Sequence, residues 1–128
     1  MPDEKIPRPI DIRLHRKSRV LEVVFDDGSA FKLPCEYLRV YSPSAEVRGH
    51  GPGQETLQWG KEQVNIDAVE PIGHYAVKLV FDDGHSSGLY SWNILYNLGK
   101  HQDELWSAYL EKLEKAGKPR SPAPRAGT

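Results

Sequence analysis

Residues 21–34, LEVVFDDGSAFKLP, return at 77–90 as VKLVFDDGHSSGLY. Phe25-Asp26-Asp27-Gly28 aligns with Phe81-Asp82-Asp83-Gly84 at an offset of 56 residues. In each copy the apolar side chains alternate: Leu21, Val23 and Phe25 in the first, Val77, Leu79 and Phe81 in the second. That is the period of a strand with one buried face. Asp-Asp-Gly then marks a turn, since Asp accepts from nearby backbone N–H groups and Gly takes a positive φ at no steric cost. The pattern predicts two β-hairpins, about 20–25 with 29–33 and about 76–81 with 86–90. Two copies are too few for a solenoid, so they point to two similar hairpins in one sheet, related by pseudo-symmetry.

Outward from the first copy, EYLRVY at 36–41 leads into Ser42-Pro43-Ser44. Pro43 suits a first helical position with Ser42 as N-cap, which predicts one helical turn there. RGHGPGQ at 48–54, with three glycines and a proline, reads as loop. ETLQW at 55–59 and QVNIDAVE at 63–70 read as short strands, ended by Pro71-Ile72-Gly73. After the second copy, Ser91 is placed to cap a short helix over 92–98 that Gly99 would stop. A last helix over about 101–116 carries a stripe of Leu105, Trp106, Tyr109, Leu110 and Leu113, expected to lie on the sheet. Asp103 and Glu104 at its start, with Lys112 and Lys115 near its end, suit the helix dipole. The expected fold class is α+β: a two-layer domain with a mainly antiparallel sheet containing both hairpins, packed by the C-terminal helices. The domain spans 10–116. Residues 1–9 and 117–128 read as disordered tails, the latter (GKPRSPAPRAGT) having no large apolar side chain to bury.

The bulk numbers narrow the function. A length of 128 residues suits one domain. With 17 basic and 18 acidic residues the formal net charge is -1, which argues against broad nucleic-acid binding while leaving room for a small basic patch. No stretch approaches the roughly 20 apolar residues of a membrane span, and MPDEKIPRPI lacks the apolar core of a secretory signal. Cys35 is the single cysteine. It excludes an internal disulfide or a several-thiolate site on one chain, and it fits a reducing, cytoplasmic location.

Catalytic signals are weak. The Asp pairs could bind a cation, though turn chemistry is the commoner reason for Asp there. The five histidines, at 15, 50, 74, 85 and 101, show no metal-ligand spacing. No phosphate loop, dinucleotide fingerprint or serine elbow occurs. Cys35 lies between Pro34 and Glu36, and an acidic neighbour disfavours a thiolate. A protein without catalytic machinery is expected. One cluster stands out: Arg39, Tyr41, Ser42, Ser44, Arg48 and His50 fall within twelve residues. Amides at a helix start flanked by arginines make an anion or partner site; the plainer alternative is a solvated connector. The 42–53 stretch is expected to stand outside the core as a recognition surface.

LPCEYLRVYSPSAEVRGHGPGQ at 33–54 and VFDDGHSSGLYSWNILYNLG at 80–99 carry a resemblance. Over roughly 10–112 the chain resembles the gamma-butyrobetaine hydroxylase-like N-terminal domain family, domain of unknown function 971, in a standalone bacterial-type form. The resemblance implies a small α+β unit. In betaine and trimethyllysine dioxygenases such a unit precedes the catalytic iron domain and holds a structural zinc. Elsewhere it is fused to a P-loop ATPase of the iron–sulfur cluster carrier type. The zinc-ligand positions of the dioxygenases fall here on Ser42, Ser44, Val47 and His85, of which only the histidine is a zinc ligand, so no zinc cofactor is expected. The dioxygenase activity is not expected either, because a proline-rich tail stands where a catalytic domain would follow. The resemblance therefore implies a non-catalytic accessory module linked to iron–sulfur cluster assembly or delivery. Its protein partner would be a P-loop carrier ATPase, met through Arg39, Arg48, His50 and His85, with no membrane or nucleic acid involved. The alternative is a zinc-type structural domain using His85 with His50 or Cys35.

Overall fold

The computed structural model describes residues 7–44, 57–86 and 88–118. Strands β1 (Pro9–His15), β2 (Val20–Phe25) and β3 (Ala30–Pro34) form an antiparallel sheet in that order, and helix α1 (Cys35–Val40) follows directly. The plan then repeats. Strands β4 (Ile66–Ile72), β5 (Ala76–Phe81) and β6 (Leu89–Ser91) form a second antiparallel sheet, and α2 (Trp92–Lys100) follows. Helix α3 (Gln102–Lys115) is the last element among the described residues. The α+β class and the two hairpins agree with the sequence. The single sheet does not: each copy builds its own three strands.

The third strand of the first sheet is β1, whose Ile10, Ile12 and Leu14 alternate in PIDIRLH. It begins inside the segment read as a tail, and Asp26 N–H donates to Arg8 O at 2.9 Å. Its counterpart β4 meets β5 in the same way, with a register irregularity after the first pair in both sheets, at Pro9/Asp11 and Ile66/Ala68.

The two Asp-Asp-Gly corners repeat almost atom for atom. Phe25 N–H donates to Ser29 O at 2.7 Å and Phe81 N–H to His85 O at 2.9 Å. Gly28 and Gly84 sit at φ 91° and 92°, which a side chain at either position would oppose. The first Asp of each corner holds the incoming strand: Asp26 accepts from Arg8 N–H and Asp82 from Asn65 N–H. The second closes the turn: Asp27 accepts from Ser29 N–H and Asp83 from His85 N–H. Val20 pairs with Pro34, but Ala76 pairs with Ser91. The second copy is thus one residue longer, between Gly84 and Leu89.

One core joins both sheets. Leu21, Val23, Phe25 and Leu33 of the first pack with Leu79, Phe81 and Tyr90 of the second, and with Leu38 of α1 and Leu95 of α2. Each large side chain so buried contributes roughly 1.5–3 kcal/mol.

Three local expectations change, and a fourth, the helical turn expected to start at Pro43, runs into residues outside the described ones. The sequence did not mark α1, which ends ahead of Pro43, where the residue preceding a proline is disfavoured in helical backbone. Residues 57–59 are not strand, and 55–56 lie outside the described residues. Ser91 does cap α2, accepting from Ile94 N–H at 3.2 Å, but Gly99 lies inside the helix rather than ending it. A β-carbon there would run into the Phe31 ring, so Gly99 permits close approach of α2 to β3. Finally, α3 lies only partly on the main core, which its Leu105 and Trp106 meet. Tyr109 and Leu113 form a small second core with Val40, against which Tyr41, Leu57 and Trp106 also pack. Gly117 (φ 69°) and Lys118 end α3 by donating to Glu114 O and Leu113 O, so both belong to the fold rather than to a tail. No helix among the described residues is long and apolar enough to cross a membrane.

Candidate functional site

Helix α1 brings Arg39 against the second corner. Arg39 Nε donates to Asp83 Oδ2 at 2.9 Å and its Nη1 to Gln58 Oε1 at 3.0 Å. Lys61 Nζ donates to the same Asp83 oxygen at 2.8 Å. The Arg39 side chain is only 8% exposed. Burial alone would raise the Asp83 pKa, but hydrogen bonds from Lys61, the His85 amide and Arg39 outweigh it and hold it at about 2. Asp83 is therefore a carboxylate throughout the neutral range, and it occupies the guanidinium that was expected to receive an outside anion.

The chain leaving α1 then meets the same corner. Ser42 Oγ and His85 Nε2 are hydrogen-bonded at 2.9 Å, and Ser44 N–H donates to Ser42 Oγ at 3.2 Å. Ser42, Ser44 and His85 are all buried, Ser42 completely. Gly88 lies so close that a β-carbon on it would collide with Ser42 Oγ. The expectation that this stretch stands outside the core is thus corrected for Ser42 and Ser44. The physical reason is the corner itself, which presents the His85 imidazole at hydrogen-bonding distance from Ser42. Tyr41 points elsewhere, donating to Leu105 O on α3 at 2.7 Å. Arg48 and His50 lie outside the described residues.

The sequence therefore grouped Arg39, Ser42 and Ser44 with Tyr41, Arg48 and His50 and named His85 as a further candidate, and the fold brings Arg39, Ser42, Ser44 and His85 to one corner. It missed Asp83, Gln58 and Lys61, which complete it. Asp83 was visible as a turn residue or as half of an acid pair that could bind a cation, not as a partner for Arg39, since one oxygen closing the turn already accounts for an Asp there. Gln58 and Lys61 carry no local signal. Tyr109 OH donates to Gln58 O at 2.8 Å, so Gln58 is held from both α1 and α3. Among the described residues no buried side-chain polar atom lacks a hydrogen-bond partner.

What this arrangement can do chemically is limited. Serine and imidazole at 2.9 Å match a nucleophile–base pair in distance, but full burial denies Ser42 Oγ a place beside a substrate carbonyl. Zinc does not fit the donor set either. Ser42 and Ser44 offer hydroxyl oxygens, Ser42 and His85 are engaged with each other, and Val47 has no donor atom. Cys35 is buried, donates to Asn65 Oδ1 at 3.8 Å, and has its thiol pushed up to about 11 by burial, so it offers no thiolate. Among the described residues no three His, Cys, Asp or Glu side chains are grouped to hold a metal ion.

The family model for the gamma-butyrobetaine hydroxylase-like N-terminal domain matches residues 12–96. Among solved structures, one solution NMR structure is 51% identical, with a TM-score of 0.82, over 100% of this chain and 96% of that one. A second is 46% identical, with a TM-score of 0.79, over 97% and 98%. A crystal structure of a protein of unknown function from Acidithiobacillus ferrooxidans ATCC 23270, in the family of domain of unknown function 971, is 40% identical. It covers 72% of this chain and 92% of its own, with a TM-score of 0.61. No curated protein matches the chain.

Proposed function

The chain belongs to the gamma-butyrobetaine hydroxylase-like N-terminal family, and on that premise we propose that it is a non-catalytic accessory module that binds a protein partner through the segment between Ser44 and Leu57. One observation carries this reading: both approaches to that segment are pinned to one platform. Ser42 and Ser44 are tied to His85 on the entry side, and Gln58 is tied to Arg39 and Tyr109 on the exit side. Binding residues concentrate on loops that a rigid scaffold positions. Here the intervening sequence supplies Arg48 and His50, while Arg39 and His85 hold the platform instead of touching the partner.

The partner class is the P-loop ATPase of the iron–sulfur carrier type that the family resemblance implies, and the proposed location is the cytoplasm, in keeping with one buried, unpaired cysteine. Calorimetric titration of a purified carrier ATPase with the intact chain, Arg48→Ala and His50→Ala tests this. The expected result is binding weakened about tenfold by Arg48→Ala, the size of one charge-assisted contact. Unchanged affinity in both variants would remove the segment from the interface, and no binding by the intact chain would remove this partner.

A further inference from the structure

The turn joining β1 to β2 carries charge that the platform does not use. Residues 13–19, RLHRKSR, contain Arg13, Arg16, Lys17 and Arg19 and no acid, in a chain of formal net charge -1. The last paired residues are His15 and Val20, so 16–19 form the tip of the hairpin. Arg13, His15, Arg16, Lys17 and Ser18 are exposed. The positive face continues across the sheet, where Glu22 lies in register between Arg13 and Lys32. A hydrogen bond from His15 lowers the Glu22 pKa, and the charges of His15, Lys32 and Arg13 add to it.

The acids nearby do not cancel this charge. Asp11 pairs with Arg13 at 2.8 Å and Asp67 with Arg16 at 3.1 Å. Both pairs are open to water, where such contacts are weak and readily exchanged. Among the described residues Lys17 and Arg19 make no ion pair.

Arg19 adds a separate observation. Its φ of 57° makes it the one non-glycine residue in the left-handed region among the described residues. Its carbonyl accepts from Cys35 N–H at 2.9 Å, fixing the backbone where α1 begins. That role needs the conformation, which glycine or asparagine adopts more easily, and does not need a guanidinium. An arginine standing against backbone preference points to a use for its side chain.

We infer that the 13–19 tip is a second docking surface, fitted to an acidic segment of a protein partner. Carboxylates spaced along an extended chain pair with Arg13, Arg16, Lys17 and Arg19, and guanidinium forks favour bidentate carboxylate contacts. A nucleic acid fits less well. Its closely spaced phosphates would meet Asp11, Glu22 and Asp67 as well as the bases, whereas a peptide can place its carboxylates between them. The inference is independent of the 45–56 segment and of the partner named above.

The test uses the isotope-labelled full chain, followed by amide NMR during titration with a short glutamate-rich peptide. Single-stranded DNA of similar length forms a parallel arm. The expected result is shifts confined to 13–19 and to neighbouring Glu22 and Lys32, an affinity that falls as salt rises, and about tenfold weaker binding in Arg16→Glu/Lys17→Glu. Arg19→Gly should weaken the peptide while leaving Tm equal or higher. Absent shifts at low salt, shifts centred elsewhere, or equal affinity in the charge-reversed variant would overturn the proposal. So would DNA acting on the same amides at lower concentration. A Tm lowered by Arg19→Gly would assign the arginine to folding and remove its part of the argument.

Discussion

Arg39 of the first half and Tyr96 of the second hold matching places, each the fifth residue of the helix that follows its sheet, and each reaches the corner aspartate of the opposite half. Arg39 Nε donates to Asp83 Oδ2 at 2.9 Å, and Tyr96 OH donates to Asp27 Oδ2 at 2.7 Å. The repeat is therefore an exchange: each helix crosses over to clasp the corner aspartate of its partner's turn. The two clasps differ in depth, since the arginine is buried and the tyrosine contact is exposed.

That difference predicts unequal costs. Asp83→Asn leaves a buried guanidinium facing a neutral group and should destabilise by about 2–3 kcal/mol, below the full value for a buried pair because Asp83 is partly exposed. Tyr96→Phe removes one exposed hydrogen bond and should cost about 0.5–1 kcal/mol. Urea unfolding of both variants checks the order, and equal losses would contradict it.

Asp83 also sets an acid limit. Its folded pKa, about 2, lies below the ordinary aspartate value of 3.8. A depressed carboxyl contributes stability that is complete above the unfolded pKa and disappears as pH falls through the folded one. The contribution should therefore fade between about pH 4 and pH 2. In Asp83→Asn that part of the pH dependence should flatten, as thermal melts at successive pH values would show.

The Ser42–His85 contact predicts a fold that does not depend on metal. Ser42→Ala should cost about 1–2 kcal/mol by removing a buried hydrogen bond. Gly88→Ala should cost about 1–3 kcal/mol by forcing Ser42 aside. A chelator should leave Tm unchanged in the parent chain. A fall in Tm on chelation would restore the metal reading.

Gly99→Ala should destabilise by about 1–3 kcal/mol, because the new methyl group meets the Phe31 ring. Phe31→Leu in the same chain should recover part of the loss. A double-mutant cycle measures that coupling, and strict additivity would mean that the two residues are not in contact.

The hairpins were legible because their information is local: alternation over a few residues, then a turn with fixed chemistry. Strand β1 carries the same period in Ile10, Ile12 and Leu14, but prolines before it imitate a tail. Helix α1 is too short, at six residues, to show a helical period. Arg39, Ser42 and Ser44 were legible as a group of residue types, and His85 as a separate candidate. Their burial was not, because Asp83 and His85 arrive from more than forty positions away and the turn already accounts for both. The Gly99 role was hidden for the same reason, since only Phe31 explains it.

The crossed helices have a consequence for assembly. Each turn is closed by its own backbone, but the helix contact to each corner aspartate comes from the other half, so a lone half would lose that contact and leave its sheet uncovered, the condition of one arm of a swapped dimer. Cleaving the backbone between Ser44 and Leu57 should leave two fragments that are individually unstructured and that reconstitute the fold when mixed.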